Sequence, residues 1–255
     1  MTYFSDNPRT LYRFGNNEFA VSFPDISVYA DVIDQIKDNV SSYQEYTILE
    51  NMRPDQVSFE LYGSTNYYWT FYLLNDNIRE QGWPLLASEL LLQVQNDFPN
   101  TTIVTATDLV TDQLTTTGLV KNKAIPGATV TGQSSGIEGI VKSRRLDLGQ
   151  VIIEGKKSFI EGETILLSSD TSVSFVASSV VDEHLSVHHW ENASSEYVDL
   201  VGTDGIVNIT GGASNTAITQ LDRYTRANNS LKEIKVLKRE IVGQISDAIK
   251  TAIRS

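Results

Sequence analysis

Two short stretches, Ile125-Pro126-Gly127-Ala128-Thr129-Val130 and Ile160-Glu161-Gly162-Glu163-Thr164-Ile165, repeat one another at an offset of 35 residues. Each leads from a turn into a β-branched run. A Ser-Ser or Ser-Asp turn follows, and then a further β-branched position at Val141 or Val176. Two copies are too few for a solenoid. They restrict residues 101–181 to a small antiparallel barrel or sandwich made of two similar hairpin units, with turns at intervals of about 8–12 residues. Eight threonines fall between Thr101 and Thr117, and Thr171-Ser172-Val173-Ser174-Phe175-Val176 alternates strictly.

The flanking sequence follows other rules. Residues 1–44 are rich in aromatics broken by Asn, Gly and Pro, and read as an extended arm. Within it Val21-Ser22-Phe23-Pro24 fits an edge strand ended by its proline. Val28, Val32, Ile33, Ile36 and Val40 then have the spacing of a buried helical stripe. Glu45-Tyr46-Thr47-Ile48-Leu49 alternates like a half-buried strand. Arg53-Pro54-Asp55 opens a helix, with Pro54 in the first turn and Asp55 complementing the dipole, and Gly63 stops it. A second helix is expected from Ser64 or Thr65 to Leu74, ended by Asn75-Asp76-Asn77. A third is expected through Leu86, Leu90, Leu91 and Val94. Leu185 to Val201 reads as a hairpin around Glu191-Asn192-Ala193-Ser194-Ser195, and a Gly-rich connection follows. From Thr225 to Ser255, Leu231, Ile234, Leu237, Ile241, Ile245, Ala248 and Ala252 step by three or four residues. That spacing predicts one long amphipathic helix.

Charge narrows the function classes. The chain of 255 residues carries a formal net charge of −12, which argues against a general nucleic-acid binder. From Leu221 onward eight basic side chains face four acidic ones, a net +4 that leaves −16 for the rest. A basic tail on an acidic body is either a partner-seeking segment or a solvated helix face. The absence of cysteine rules out a disulfide scaffold, a Cys-ligated zinc site and a thiol nucleophile. No apolar run approaches the roughly 20 residues of a membrane span, and no secretory signal pattern opens the sequence.

Few constellations carry chemistry. On a strand, His184, Ser186 and His188 share one face, so His184 and His188 with an acidic residue are a candidate metal site beside the plainer reading of packed and exposed strand histidines. Glu161/Glu163 and Asp182/Glu183 read as solvated surface rather than an acid–base pair. No phosphate loop and no Gly-x-Ser-x-Gly elbow is present. The rings Tyr62, Tyr67, Tyr68, Trp69, Phe71, Tyr72 and Trp83 fit either core packing at helical spacing or a sugar-stacking platform. Neither a catalytic residue nor a cofactor site emerges.

Between Tyr46 and Leu85 the order Arg53-Pro54, Tyr62-Gly63, Tyr68-Trp69, Asn75 and Asn77, then Gly82-Trp83, resembles a LysM-type βααβ module. More specifically, it is similar to the variant in the baseplate wedge subunit family of contractile-tailed phages. His188-His189-Trp190-Glu191 with Tyr197 resembles that family's His-Tyr hairpin, and Leu231 to Leu237 its closing helix. The resemblance implies an α+β protein in five parts: an N-terminal arm and helix (1–44), a LysM-like module (45–100), an inserted β-rich domain (101–184), a hairpin and Gly-rich connection (185–222) and a long C-terminal amphipathic helix (223–255). It further implies a non-enzymatic virion protein of the tail baseplate, made and assembled in the host cytoplasm without a cofactor. Its expected partners are wedge core subunits and the sheath-initiating subunit, with no nucleic acid, membrane or small-molecule substrate. The Asn51-Met52-Arg53-Pro54 loop lacks the residues with which LysM modules hold glycan, although peptidoglycan binding remains the alternative. The partner-binding stripe would be Leu231, Ile234, Leu237, Ile241 and Ile245, steered by Lys235, Lys238 and Arg239. On that view Ile234→Asp or Ile241→Asp leaves the fold intact and abolishes assembly.

Overall fold

The computed structural model describes residues 9–12, 21–24, 42–105, 124–200, 211–212 and 214–254. The helix expected over Val28–Val40 and most of the Gly-rich connection lie outside them. The chain divides into two compact units, Met1–Leu86 with Ala227–Ser255, and Ala87–Arg226. One unit is thus built from both ends of the chain and the other from the residues between them.

In the first unit β1 (Arg9–Tyr12) and β2 (Val21–Pro24) pair antiparallel. Strand β3 (Tyr43–Thr47) leads to α1 (Pro54–Tyr62). Gln56 starts this helix by accepting a hydrogen bond from the Arg53 N–H at 2.9 Å. Gly63 ends it at φ +71°, its N–H donating to Phe59 O. The expected second helix is split in two. A 3-10 turn (Thr65–Tyr67) precedes α2 (Trp69–Leu74), and α3 (Asp76–Gln81) begins immediately after Asn75. Asn75 breaks the helix because its backbone is extended, and Asp76 then supplies the acidic first turn of the next.

The C-terminal helix is the main correction. Instead of one helix over 223–255 there is α5 (Gln220–Ser230), strand β13 (Glu233–Leu237) and α6 (Val242–Arg254). Strand β13 pairs antiparallel with β3, Lys235 opposite Glu45. The residues Ile234-Lys235-Val236-Leu237 satisfy both periodicities, and burial decides between them. As a strand they put Ile234 and Val236 into the core with Ile48, Val57, Tyr62, Phe71, Leu74 and Ile78, while Glu233 and Lys235 face outward. A helix over the same residues would leave β3 without its partner.

The second unit contains a closed six-stranded barrel. Its strands are β4 (Thr101–Thr105), β5 (Thr129–Gly132), β6 (Glu138–Arg145), β7 (Gln150–Ile153), β8 (Thr164–Leu167) and β9 (Asp170–Asp182), in the order β4-β7-β6-β5-β8-β9. Closure removes every free edge. The 35-residue repeat is visible as symmetry. Gly127 and Gly162 make equivalent left-handed turns at φ +90° and +81°. Gln133 N–H donates to Thr164 O and Ser168 N–H to Thr129 O, both at 2.9 Å. Ile103, Val130, Val141, Val151, Ile153, Ile165, Val173 and Phe175 fill the interior. Helix α4 (Ala87–Asp97) precedes the barrel with Leu90 and Val94 buried, and Leu91 and Leu92 lie exposed. After the barrel, β10 (Val187–Glu191), β11 (Tyr197–Val198) and β12 (Thr216–Thr219) form a sheet ordered β11-β10-β12.

Candidate functional site

In the first unit the motif residues act as a scaffold. Arg53 pairs with Asp55 on the surface at 3.1 Å, and Pro54 opens α1. The Tyr62 hydroxyl donates to Leu237 O at 3.0 Å, and its ring stacks on Phe71 and meets the edge of Tyr67. Trp83 packs against Phe71 and Tyr72, and its Nε1–H donates to Met52 O at 2.7 Å, which fixes the loop after β3. Gly82 ends α3 with φ +92°. Most of these rings are therefore core. Trp69 is half-buried and Tyr68 is 42% exposed.

Asn75 has a role that spacing alone did not reveal. Its Oδ1 accepts from Lys235 N–H and its Nδ2 donates to Lys235 O, both at 2.7 Å. A buried side-chain amide thus imitates a neighbouring strand along the outer edge of β13. Asn228 does the same for Leu85, accepting from its N–H at 2.7 Å and donating to its C=O at 3.0 Å. These two asparagines fix the returning chain. Asn77 and Asn75, with Glu45, Asp76, Glu233 and Lys235, line a cleft of about 390 Å³ beside the β13 edge.

The partner stripe is redistributed. Leu231, Ile234 and Leu237 are 6%, 2% and 0% exposed, so they are unavailable to another polypeptide because they form this unit's own core. Ile241 and Ile245 are half-buried. Lys235 stands 4.8 Å over the Tyr43 ring, Lys238 is half-buried and Arg239 is exposed. The Arg239 guanidinium lies against Gly63, 3.8 Å from where a Cβ would stand. One helical turn away Phe59 is 62% exposed. Val57 and Tyr62 of the same helix are buried, and spacing gave no signal for the Phe59 ring.

In the second unit the expected strand through His184 and His188 is interrupted. Residues Glu183–Leu185 form a 3-10 turn, which removes the shared strand face. Among the described residues no group of three or more metal-binding side chains is placed to hold an ion. His184 is buried, 4.0 Å from Asp182. His188 Nδ1 and His189 Nδ1 are 2.9 Å apart, and His189 Nε2 is 2.9 Å from Glu191 Oε1. Arg226 grips both Glu191 oxygens at 2.7 and 2.8 Å. Glu191 as a carboxylate can only accept, so His189 Nε2–H donates to it, and a single proton joins His188 Nδ1 and His189 Nδ1. Hydrogen bonds from Arg226 and His189 hold the Glu191 carboxyl below the usual range.

Glu163 is not the solvated carboxylate expected. It is 4% exposed, with its oxygens taking hydrogen bonds from Ile160 N–H at 2.7 Å, Ser135 N–H at 2.9 Å, Ser135 Oγ at 3.0 Å and Ser134 N–H at 3.1 Å. Burial pushes its carboxyl up, but these donors outweigh burial and hold it below the usual value. Gly132 leaves the required room, since a Cβ there would overlap the carboxylate. The pair thus joins the two repeat units, a structural task.

Comparison with known protein families finds that the N-terminal part of the chain is similar to a structural protein of the phage baseplate. The family model described as base plate wedge protein 53 matches residues 4–86, about a third of the chain. That match ends at the residue where the first segment of the first unit ends. No curated protein matches the chain. No helix among the described residues is long and apolar enough to cross a membrane.

Proposed function

We propose that this chain is a wedge subunit of a contractile-tail baseplate. It binds wedge core subunits and the sheath-initiating subunit and helps join neighbouring wedges during tail assembly in the host cytoplasm. The observation that carries this reading is the family match over residues 4–86. The antiparallel pairing of β3 with β13 and the helices between them support a LysM-like module, here serving as a docking body. Attachment runs through what its own core leaves uncovered: Phe59, Tyr68 and Arg239. Exposed aromatics beside an arginine are the side chains on which interface energy concentrates. Lys238 and Ile241, at the margin, complete the contact.

The test is co-purification of the full chain with the wedge proteins encoded beside it. The wild-type chain is expected to bring them down, and Phe59→Asp/Arg239→Glu to lose them at least tenfold with an unchanged melting temperature. Equal recovery by both would remove this surface from the account.

A further inference from the structure

The small β3–β13 sheet of the first unit has two edges, and the chain treats them differently. Ile48 N–H donates to Lys232 O at 2.8 Å and Lys238 N–H donates to Ser42 O at 3.1 Å, which fixes the narrow pairs of the ladder. Lys235 and Glu45, like Glu233 and Thr47, then fall in the wide pairs, where the main-chain groups of opposed residues point away from one another. On the β13 side the outward N–H and C=O of Lys235 are closed off by the Asn75 amide. On the β3 side, among the described residues, no strand or side chain takes the outward N–H and C=O of Glu45 and Thr47. Gln44, Glu45 and Thr47 are exposed. One edge is thus capped by a side chain that imitates a strand, and the other is open for about 17 Å.

Charge decides what can sit there. An open edge invites pairing with any other strand, and proteins guard such edges with charged side chains. A second copy pairing antiparallel about a two-fold axis at Glu45 would set two Glu45 carboxylates directly opposite one another, which is destabilising. Among the described residues Glu45 itself has no hydrogen-bond or ion-pair partner. It lines the cleft of about 390 Å³ together with Asp76 and Glu233. Asp76 is paired with Arg79 at 2.7 Å, and Glu233 takes a hydrogen bond from the Thr47 hydroxyl at 3.3 Å. The one cation of that lining, Lys235, stands over the Tyr43 ring and makes no ion pair with Glu45. The side of the sheet that carries Glu45 is therefore acidic. A strand with a lysine or arginine opposite Glu45 gains where a second copy loses.

We propose that the outer edge of β3 accepts an extended segment of another protein as a third, antiparallel strand, with a basic residue of that segment opposite Glu45. The main-chain groups of Glu45 and Thr47 supply hydrogen bonds that any extended sequence can meet, and Glu45 supplies the selection. In that register Glu45 and the basic residue form a narrow pair, so the basic residue turns its own N–H and C=O toward β3. The pairing of β3 with β13 and the Asn75 clasp stay as they are. This edge is separate from the Phe59 and Arg239 surface; only the source of the segment, another baseplate protein, rests on the wedge reading.

The experiment is amide NMR with hydrogen exchange on the full chain, using peptide probes of the sequence Thr-Val-Thr-Val-Lys-Val-Thr-Val-Thr. One probe is N-methylated on its valines, which leaves the lysine and threonine N–H groups free to pair with β3. Another is N-methylated instead on the lysine and the threonines nearest it, which removes those donors. A further valine-methylated probe carries glutamate in place of the lysine. The first is expected to shift the Glu45 and Thr47 amides saturably and to slow their exchange, with Ile234 and Val236 unchanged. The lysine-methylated probe should do neither, and the glutamate probe should bind about fivefold more weakly. Glu45→Lys, at an exposed position, should reverse the preference between lysine and glutamate probes. No saturable shift, equal binding of the two methylation patterns, or an unchanged preference in Glu45→Lys would overturn the proposal. Protection of Glu45 that rises with protein concentration in the absence of any probe would overturn it in favour of a second copy on this edge. The co-purification test reads a different surface, so each of these results leaves the wedge reading standing.

Discussion

Ile234→Asp is expected to unfold the first unit while the barrel stays folded. Ile234 is 2% exposed and packs in a core that includes Val57, Phe71 and Val236. A carboxylate there finds no partner, and a buried, unpaired charge in place of an aliphatic side chain costs more than about 4 kcal/mol. Hydrogen exchange is the informative measurement. Protection should be lost across 43–83 and 231–246 and kept across the barrel strands. A continuous amphipathic helix over 223–255 predicts the opposite, a folded protein deficient only in assembly, so retained protection at 43–47 would restore that reading.

The second large effect is expected at Glu163. Its truncation in Glu163→Ala leaves three backbone N–H groups and one hydroxyl without their acceptor. Hydrogen bonds to a buried charged group are worth about 1.5–3 kcal/mol each, but they share one carboxylate and relax together, so a net loss of about 3 kcal/mol is expected. For a barrel of this size that lowers the melting temperature by roughly 12 °C or more. The same carboxylate gives an acid dependence. Its pKa is depressed in the folded state, so its stabilisation is complete above the usual value of about 4.5 and is lost as the pH falls below it. Glu163→Ala should therefore flatten the stability profile in that window. An unchanged slope would assign the acid sensitivity elsewhere.

These two residues also mark where sequence reasoning stops. The start of α1 at Pro54 and its stop at Gly63 depend on neighbours within a turn, and both were legible. So was the barrel's repeat, because glycine turns at 127 and 162 impose matching local geometry. Strand β13 was not, since steps of three and four through Ile234, Leu237 and Ile241 match a helix as well as alternation matches a strand. Strand β3 decides between them, and the chain between the two strands includes the whole inserted unit. Glu163 reads as surface because most carboxylates are, and three of its four donors come from a turn 28 and 29 residues earlier. Phe59 fails for a third reason. An aromatic on the outer face of a helix contradicts the pattern that predicts burial, which makes it informative only once the inner face is known.

The most direct test of the account is whether the protein is a constituent of the particle. Purified tails can be stripped to baseplates and quantified by mass spectrometry against known wedge subunits. The chain is expected in the baseplate fraction at a fixed whole-number ratio to those subunits. Its absence from that fraction, with the protein recovered only free of particles, would contradict it.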